Sequence, residues 1–317
     1  MRTIGGDDIA RALTYPALVE ALEQAFRSEI EVPVRHHHRI AHPRADATLL
    51  IMPAWTEEFL GCKLVTVFPG NAELEKPSVY GTYLLMSGRT GEPLAVIDGR
   101  ALTAWRTAAA SALAATYLAR QDAAHLLMIG AGALAPHLVR AHASVRPIRR
   151  VSLWNRTRQR AETLAFPLVW DGFEATVGDD LERLVGEADI VCCATLSKLP
   201  LVRGGWLKAG THVDLVGSFR PDMREADDDV LRRARIFVDT RVVLQEAGDL
   251  VDPIRRGIIG AADIQGDLFD LCRGRVEGRT SAEEITLFKS VGTALEDFAA
   301  ATLLWRSLEG GVGIGQG

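Results

Sequence analysis

The chain has 317 residues, 48% of them hydrophobic and 24% charged, with a formal net charge of −5. That length and apolar fraction allow two modest domains or one large one around a buried core. The acidic balance argues against nucleic acid or an anionic membrane as the main partner, and no run of about 18 apolar residues is present to span a bilayer.

The four cysteines, Cys62, Cys192, Cys193 and Cys272, have neither CxxC nor metal-ligand spacing, so no metal is expected. Cys192 and Cys193 sit in an apolar run as small core residues. This usage suits a reducing cytoplasm. No apolar stretch follows Arg2, so no signal peptide is expected either.

In chain order, the N-terminal part reads as two helices followed by a sheet. Pro16 suits the first turn of a helix, and Leu18, Leu22 and Phe26 then share one face. Strand-like runs follow at Thr48 to Met52, Cys62 to Phe68, Val79 to Met86 and Leu94 to Ile97. The short turn-rich links between them predict antiparallel pairing. Before these strands stands His36-His37-His38, where consecutive side chains do not converge on one ion, so a polar surface stretch is the reading.

An alanine-rich helix is predicted from Leu102 to Leu118. Beyond it, apolar runs alternate with helical stretches: Leu126 to Ile129, Val151 to Trp154, Ile190 to Ala194, His212 to Val216 and Ile236 to Asp239. Near-continuous apolar runs mark strands covered on both faces, as in a parallel sheet. Ser281 and Glu284 have capping-box spacing, but the β-favouring Ile285-Thr286-Leu287-Phe288 follows at once and argues against a helix there. A last helix runs from about Gly292 to Leu308. The fold class is therefore α/β: a Rossmann-type doubly wound parallel sheet plus an α+β domain with an antiparallel-rich sheet.

The run Leu126 to Ile129 leads into Gly130-Ala131-Gly132-Ala133-Leu134-Ala135 and then a helix. This is G-x-G-x-x-A directly after a strand. Gly130 permits the tight turn, Gly132 lets backbone approach a pyrophosphate, and Ala135 permits close helix-to-strand packing. The helix N-terminus offers free N–H groups to phosphates. The next strand ends in Asn155-Arg156-Thr157, where enzymes that use NAD usually carry an acidic residue for the ribose 2′-hydroxyl. Arg156 can pair with a 2′-phosphate and stack on adenine, with Asn155 and Thr157 as neutral donors. A basic residue near a helix start opposes the helix dipole, so an anionic partner explains it better than solvent. The expected cofactor is NADPH, with NADH as the alternative.

Lys63 shares a strand face with Val65 and Val67. A lysine on an apolar face is costly unless it is paired or used, and spacing alone leaves open an edge strand with the lysine reaching solvent. Arg106 stands among small residues, Thr107-Ala108-Ala109-Ala110-Ser111, as the one long side chain of that stretch. It is read either as pointing into a cleft or as a surface arginine.

Gly61-Cys62-Lys63-Leu64-Val65, Thr90-Gly91-Glu92-Pro93-Leu94, Asp98-Gly99, Leu102-Thr103, Arg106-Thr107-Ala108-Ala109 and Gly130-Ala131-Gly132 occur in that order. As a set they resemble the ornithine cyclodeaminase/μ-crystallin family. The resemblance runs from Val32-Pro33-Val34-Arg35 to Phe288-Lys289-Ser290-Val291-Gly292. It implies a homodimer in which residues 1–112 with 291–317 form the dimerisation and substrate domain and 113–290 bind the cofactor.

The resemblance also implies that Arg35, Lys63 and Arg106 hold a substrate carboxylate, with Lys63 and Arg106 catalytic, and that Met52 lines the pocket. Thr195, Leu196, Ser218 and Gly292 would border the ribose or nicotinamide. In two places the chain departs from the family. Leu134 stands where the family often has Gln, and Phe219 stands where the cyclodeaminases carry Asp. Without that carboxylate, deamination and cyclisation lose an acid/base group.

Gly217-Ser218-Phe219-Arg220-Pro221-Asp222 instead resembles the reductases of pyrroline-2-carboxylate and piperideine-2-carboxylate. The implied reaction is NAD(P)H-dependent reduction of a cyclic imino acid to L-proline or L-pipecolate. The alternatives are ornithine cyclodeaminase itself, an alanine dehydrogenase-like reductase, and a small-molecule binding protein without catalysis.

Overall fold

The computed structural model describes residues 1–43 and 45–310. The chain divides into two compact units, Met1–Thr107 with the segment from Thr293 onward, and Ala108–Gly292, where the expected cuts were 112/113 and 290/291.

The first unit opens with strand β1 (Arg2–Ile4), then helices α1 (Gly6–Ala12) and α2 (Tyr15–Arg27). In α2, Pro16 occupies the first turn, and Leu18, Leu22 and Phe26 are fully buried along one face. Strands β2 (His36–Ile40), β3 (Ala47–Trp55), β4 (Phe59–Val67), β5 (Val79–Ser87) and β6 (Pro93–Asp98) follow, and helix α3 (Gly99–Leu118) leaves the sheet. The sheet order is β1-β6-β5-β4-β3-β2, with β1 parallel to β6 and every other pair antiparallel.

Two of these strands differ from the sequence expectation. β1 is three residues long with only Ile4 buried, too short to show a period. The histidine triplet is the surface stretch expected, and it forms edge strand β2, which is exposed at all five positions and so carries no hydrophobic alternation to mark it as a strand.

The second unit is a doubly wound sheet. Its elements are β7 (His125–Ile129), α4 (Ala135–Val145), β8 (Arg150–Trp154), α5 (Arg158–Trp170), β9 (Glu174–Val177), α6 (Leu181–Glu187), β10 (Ile190–Cys193) and β11 (His212–Leu215). Then come α7 (Asp228–Arg233), β12 (Ala234–Val238), α8 (Val243–Glu246), α9 (Gly248–Arg255), β13 (Ile264–Asp267), α10 (Leu268–Cys272) and β14 (Ile285–Lys289). Helix α11 (Ala294–Gly310) belongs to the first unit, where it packs on α2 and on β3, β4 and β5.

The second sheet runs β13-β12-β14-β11-β10-β7-β8-β9, all parallel. Strand order reverses between β7 and β10, which in open α/β sheets is where ligands bind, at the carboxyl ends of the strands. β7, β10, β11 and β14 are buried at every position, as expected of strands covered on both faces.

Sequence reading missed β9, an edge strand alternating exposed and half-buried positions, and β13, four residues long with Gly266 inside. Ser281 and Glu284 begin no helix: Ser281 Oγ accepts from the Glu284 amide, and β14 follows. Among the described residues, no helix is long and apolar enough to cross a membrane.

Candidate active site

In the second unit, the glycine turn lies between β7 and α4, at the carboxyl end of the sheet. Gly130 has φ +107°, and a Cβ there would lie 2.6 Å from the Ala194 carbonyl oxygen, so this position needs glycine for both backbone and space. Gly132 is different: a Cβ would meet nothing within 4 Å, and the residue is exposed. The space beside it is open to a ligand rather than filled by protein. Ala131 is half-buried, Ala133 is exposed, Leu134 caps α4, and Ala135 is fully buried against the sheet. The residues therefore fit a dinucleotide: an open backbone turn at the N-terminus of an 11-residue helix, whose dipole favours a phosphate there.

Asn155 does more than add a donor. Its Oδ1 accepts from the Ala131 amide at 3.2 Å and its Nδ2 donates to the Thr157 carbonyl at 2.8 Å, tying the glycine turn to the end of β8. Arg158 is neutralised by Glu162 and Asp179. Arg156 is exposed and has no acidic partner among the described residues. Of Arg156 and Arg158, it is the side chain left for an anion.

The ends of β10 and β11 carry Thr195, half-buried, and Leu196 and Phe219, both exposed. Ser218 is fully buried, with its hydroxyl donating to the Met223 carbonyl and accepting from the Asp249 amide, so its side chain is committed inside the protein. Gly292 has φ +81° and donates its amide to Asp239 Oδ2, which also accepts from Val291.

One group of His, Cys and Asp among the described residues is close enough to hold an ion: His142, Cys192 and Asp214. Asp214 accepts from His142 Nε2 at 3.0 Å, Cys192 Sγ at 3.2 Å and Ser111 Oγ at 3.2 Å. All are buried, and these bonds tie α4 to the sheet within the core.

In the first unit, Lys63 and Arg106 belong to one buried cluster. Lys63 lies in β4, directly opposite Met52 of β3 and Tyr83 of β5. It is buried, not at an edge, and Nζ donates to both oxygens of Asp297, at 2.9 and 3.2 Å. Arg106, from α3, is likewise buried: Nε reaches Asp297 at 3.1 Å and Nη1 reaches Glu296 at 2.5 Å. Its Nη2 has no partner among the described residues.

Both carboxylates come from the first turn of α11 and were not identified from sequence, although two acids in an alanine-rich helix were a visible anomaly. Met52 is buried beside Lys63. Arg35 stands in the segment leading into β2 and is half-exposed, in contrast to the buried pair. Tyr83 is buried with its hydroxyl unpartnered, and its ring fills the place a side chain at Gly61 would take: a Cβ there would lie 1.9 Å from the hydroxyl.

The electrostatics follow from burial. Desolvation pushes the Lys63 ammonium from 10.5 down to about 8, against the pull of Asp297. Burial would raise Asp297, but Arg106 and Lys63 outweigh it and hold the carboxyl below its usual range. Burial likewise opposes the Arg106 charge, yet Asp297 and Glu296 keep its pKa above the ordinary value. Two buried cations thus face two buried carboxylates, and the cluster is neutral as a whole.

The profile of the ornithine cyclodeaminase/mu-crystallin family matches residues 6–311. Protein SAR DEFICIENT 4 of Arabidopsis thaliana is 43% identical over 311 residues, covering 92% of this chain and 95% of that protein. Δ(1)-pyrroline-2-carboxylate reductase of Paracoccus denitrificans is 41% identical over 310 residues, 96% of each. Among solved structures, Thermococcus litoralis Δ(1)-pyrroline-2-carboxylate reductase in complex with NADH and L-proline superposes with a TM-score of 0.91 at 33% identity, covering 98% of both chains.

Proposed function

The chain belongs to the ornithine cyclodeaminase/mu-crystallin family, and from that premise we propose that it reduces cyclic imino acids with a nicotinamide cofactor. The substrates are Δ1-pyrroline-2-carboxylate or Δ1-piperideine-2-carboxylate, and the products L-proline or L-pipecolate. The observation that carries this reading is the buried Lys63–Arg106 pair held by Asp297 and Glu296.

The cluster sets a buried cation for the substrate carboxylate beside a buried acid for its neutral imine nitrogen. Arg106 spends Nε and Nη1 on α11, and its Nη2 edge binds the substrate carboxylate. Arg35 adds a second contact to that carboxylate. Lys63, with its pKa near 8, is charged at neutral pH yet gives up a proton more readily than a free lysine, and it supplies the proton for the ring nitrogen. When bound, the nicotinamide supplies a hydride to the imine carbon, so that C=N becomes CH–NH. Phe219, in place of a carboxylate, supports reduction over cyclising deamination.

The test is cofactor oxidation, with NADPH and with NADH, on both cyclic imines, on pyruvate with ammonia, and on L-ornithine. Oxidation with the cyclic imines and none with ornithine is expected. Ammonia release from ornithine without added reductant, and no turnover of either imine, would overturn the reading.

NADPH is the preferred cofactor on this reading, because Arg156 lacks an acidic partner at the position that would meet a 2′-phosphate. A hydrogen bond to a charged group contributes about 1.5–3 kcal/mol. Arg156→Ala should therefore weaken NADPH roughly 10–100-fold and leave NADH nearly unchanged; equal losses for both would remove the 2′-phosphate assignment. We also propose a homodimer, to be checked by sedimentation, which should show twice the 34.4 kDa chain mass.

A further inference from the structure

The end of strand β10 and the end of strand β11 are held together by one buried side chain. Glu225 sits at the far end of the excursion that begins at Gly217, immediately before α7. It is fully buried. Its Oε1 accepts from the Thr195 amide at 2.7 Å and the Thr195 hydroxyl at 2.8 Å. Its Oε2 accepts from the Gly217 amide at 2.7 Å and the Ser218 amide at 3.3 Å. Both oxygens are thus filled by donors, from two loops that follow neighbouring parallel strands.

The loops touch directly. A Cβ on Gly217 would lie 2.0 Å from the Thr195 carbonyl oxygen, and the Cβ position of Gly130 is 3.1 Å from the Thr195 methyl. Glu225 therefore supports Thr195, and Thr195 in turn packs against the glycine turn.

Glu225 is itself fixed from behind. Its amide and that of Ala226 donate to Asp249 Oδ1, at 2.8 and 3.1 Å, and the Asp249 amide donates to Ser218 Oγ. Gly248 closes the excursion, since a Cβ there would collide with the carbonyl oxygens of Met223 and Pro221. Burial pushes Glu225 up to about 7, with Lys289 opposing that rise and Asp249 adding to it. A buried carboxylate with this desolvation cost is retained only where its acceptors are all used. Here four donors surround it and oppose that rise, because they bind the ionised form best.

We propose that Glu225 is a positioning residue for the nicotinamide half of the cofactor: it sets the Thr195 and Gly217–Ser218 backbones that receive it, without touching the cofactor. This rests on the reading that those two loops border the nicotinamide and its ribose. The adenosine half, read from Asn155, Arg156 and Thr157 at the end of β8, lies outside the Glu225 network. The device thus makes a prediction specific to one half of the dinucleotide.

Glu225→Gln keeps the shape and replaces one acceptor with an NH2 group. Whichever way the amide turns, that NH2 faces N–H or O–H donors on Thr195 or on Gly217 and Ser218. Binding is measured by calorimetry for NADPH, NADH and AMP on wild type and variant, with thermal melting alongside. The expected result is a loss of dinucleotide affinity of roughly tenfold, as for one lost hydrogen bond to a charged group, with AMP affinity changed less than about twofold.

Equal losses for AMP and the dinucleotides, with a lowered melting point, would mean that Glu225 only holds the fold, and would overturn the proposal. Unchanged affinities would overturn it as well. If wild type itself binds NAD(P)H no more tightly than AMP, the placement of the nicotinamide on these loops is wrong, and the proposal falls with it by a distinguishable route. Should Glu225→Gln fail to fold, Thr195→Val removes the hydroxyl that donates to Glu225 and, more weakly, accepts from the Ser197 amide. It should lower dinucleotide affinity alone, by a smaller factor of about threefold, and no change would overturn the proposal.

Discussion

Replacing Lys63 with alanine lowers turnover of Δ1-pyrroline-2-carboxylate by roughly 10²–10⁴-fold, the range that a positioned proton donor contributes, while cofactor affinity stays the same. The loss falls on kcat because the proton is needed only as the imine is reduced. Asp297 and Glu296 then share Arg106 alone, so the variant is also less stable, and turnover is compared at a temperature where thermal melting shows both proteins folded.

The pH profile provides a second readout. Burial lowers the Lys63 pKa to about 8, so the side chain is protonated below that value and loses its proton as pH rises through it. Wild-type kcat/KM should therefore fall along an alkaline limb near pH 8, and the limb should vanish in Lys63→Ala. Full activity in the variant, or an alkaline limb that persists in it, would remove Lys63 from the proton path.

Asp297→Asn should destabilise the first unit strongly. One carboxylate compensates two buried cations, Lys63 and Arg106. Breaking a buried pair by removing one partner costs about 3–5 kcal/mol, which for a domain of this size lowers the melting temperature by roughly 6–20 °C.

The pH dependence of the effect has a definite sign. The Asp297 carboxyl is held below its ordinary value of 3.8, so its contribution is fully present above that value. It is lost as pH falls through the lower, folded value. The gap between wild type and variant should be constant at neutral pH and close only in acid. With its counter-charge gone, Lys63 should also deprotonate at lower pH, moving the alkaline limb of kcat/KM below 8. A variant with an unchanged melting temperature and an unmoved limb would contradict the role given to Asp297.

Phe219 lies exposed after β11, where the cyclodeaminase pattern has Asp. The carboxylate nearest Lys63 instead comes from α11, already paired with two cations and held ionised. This agrees with a cluster that keeps a proton on Lys63 and binds a substrate carboxylate. It does not supply the acid/base group that deamination would need.

The local features were legible because each rests on neighbours in sequence. The apolar runs of β7, β8, β10, β11 and β12 announced a parallel sheet, since strands covered on both faces cannot alternate. Gly130, Gly132 and Ala135 announced the dinucleotide turn, since turn, approach and packing constrain residues only a few positions apart. Asn155-Arg156-Thr157 was readable for the same reason, at the end of the next strand. Edge strands β2 and β9 were not, because β2 is exposed throughout and the alternation of β9 lasts only four residues.

Lys63 was ambiguous in sequence: a lysine facing an apolar strand surface either reaches solvent or is paired, and nothing adjacent decides which. The partner is 234 residues away, on the first turn of α11. Glu225 was not singled out at all, because its four donors come from Thr195, thirty residues earlier, and from an excursion that folds back on itself. Sequence determined the element types, the glycine turn and the basic residues, all of which depend on local spacing. Only the tertiary structure decided which carboxylates pair with those cations and which one joins the two cofactor loops. A buried charge is stabilised by whatever the fold brings within about 3 Å of it, and chain separation places no limit on that.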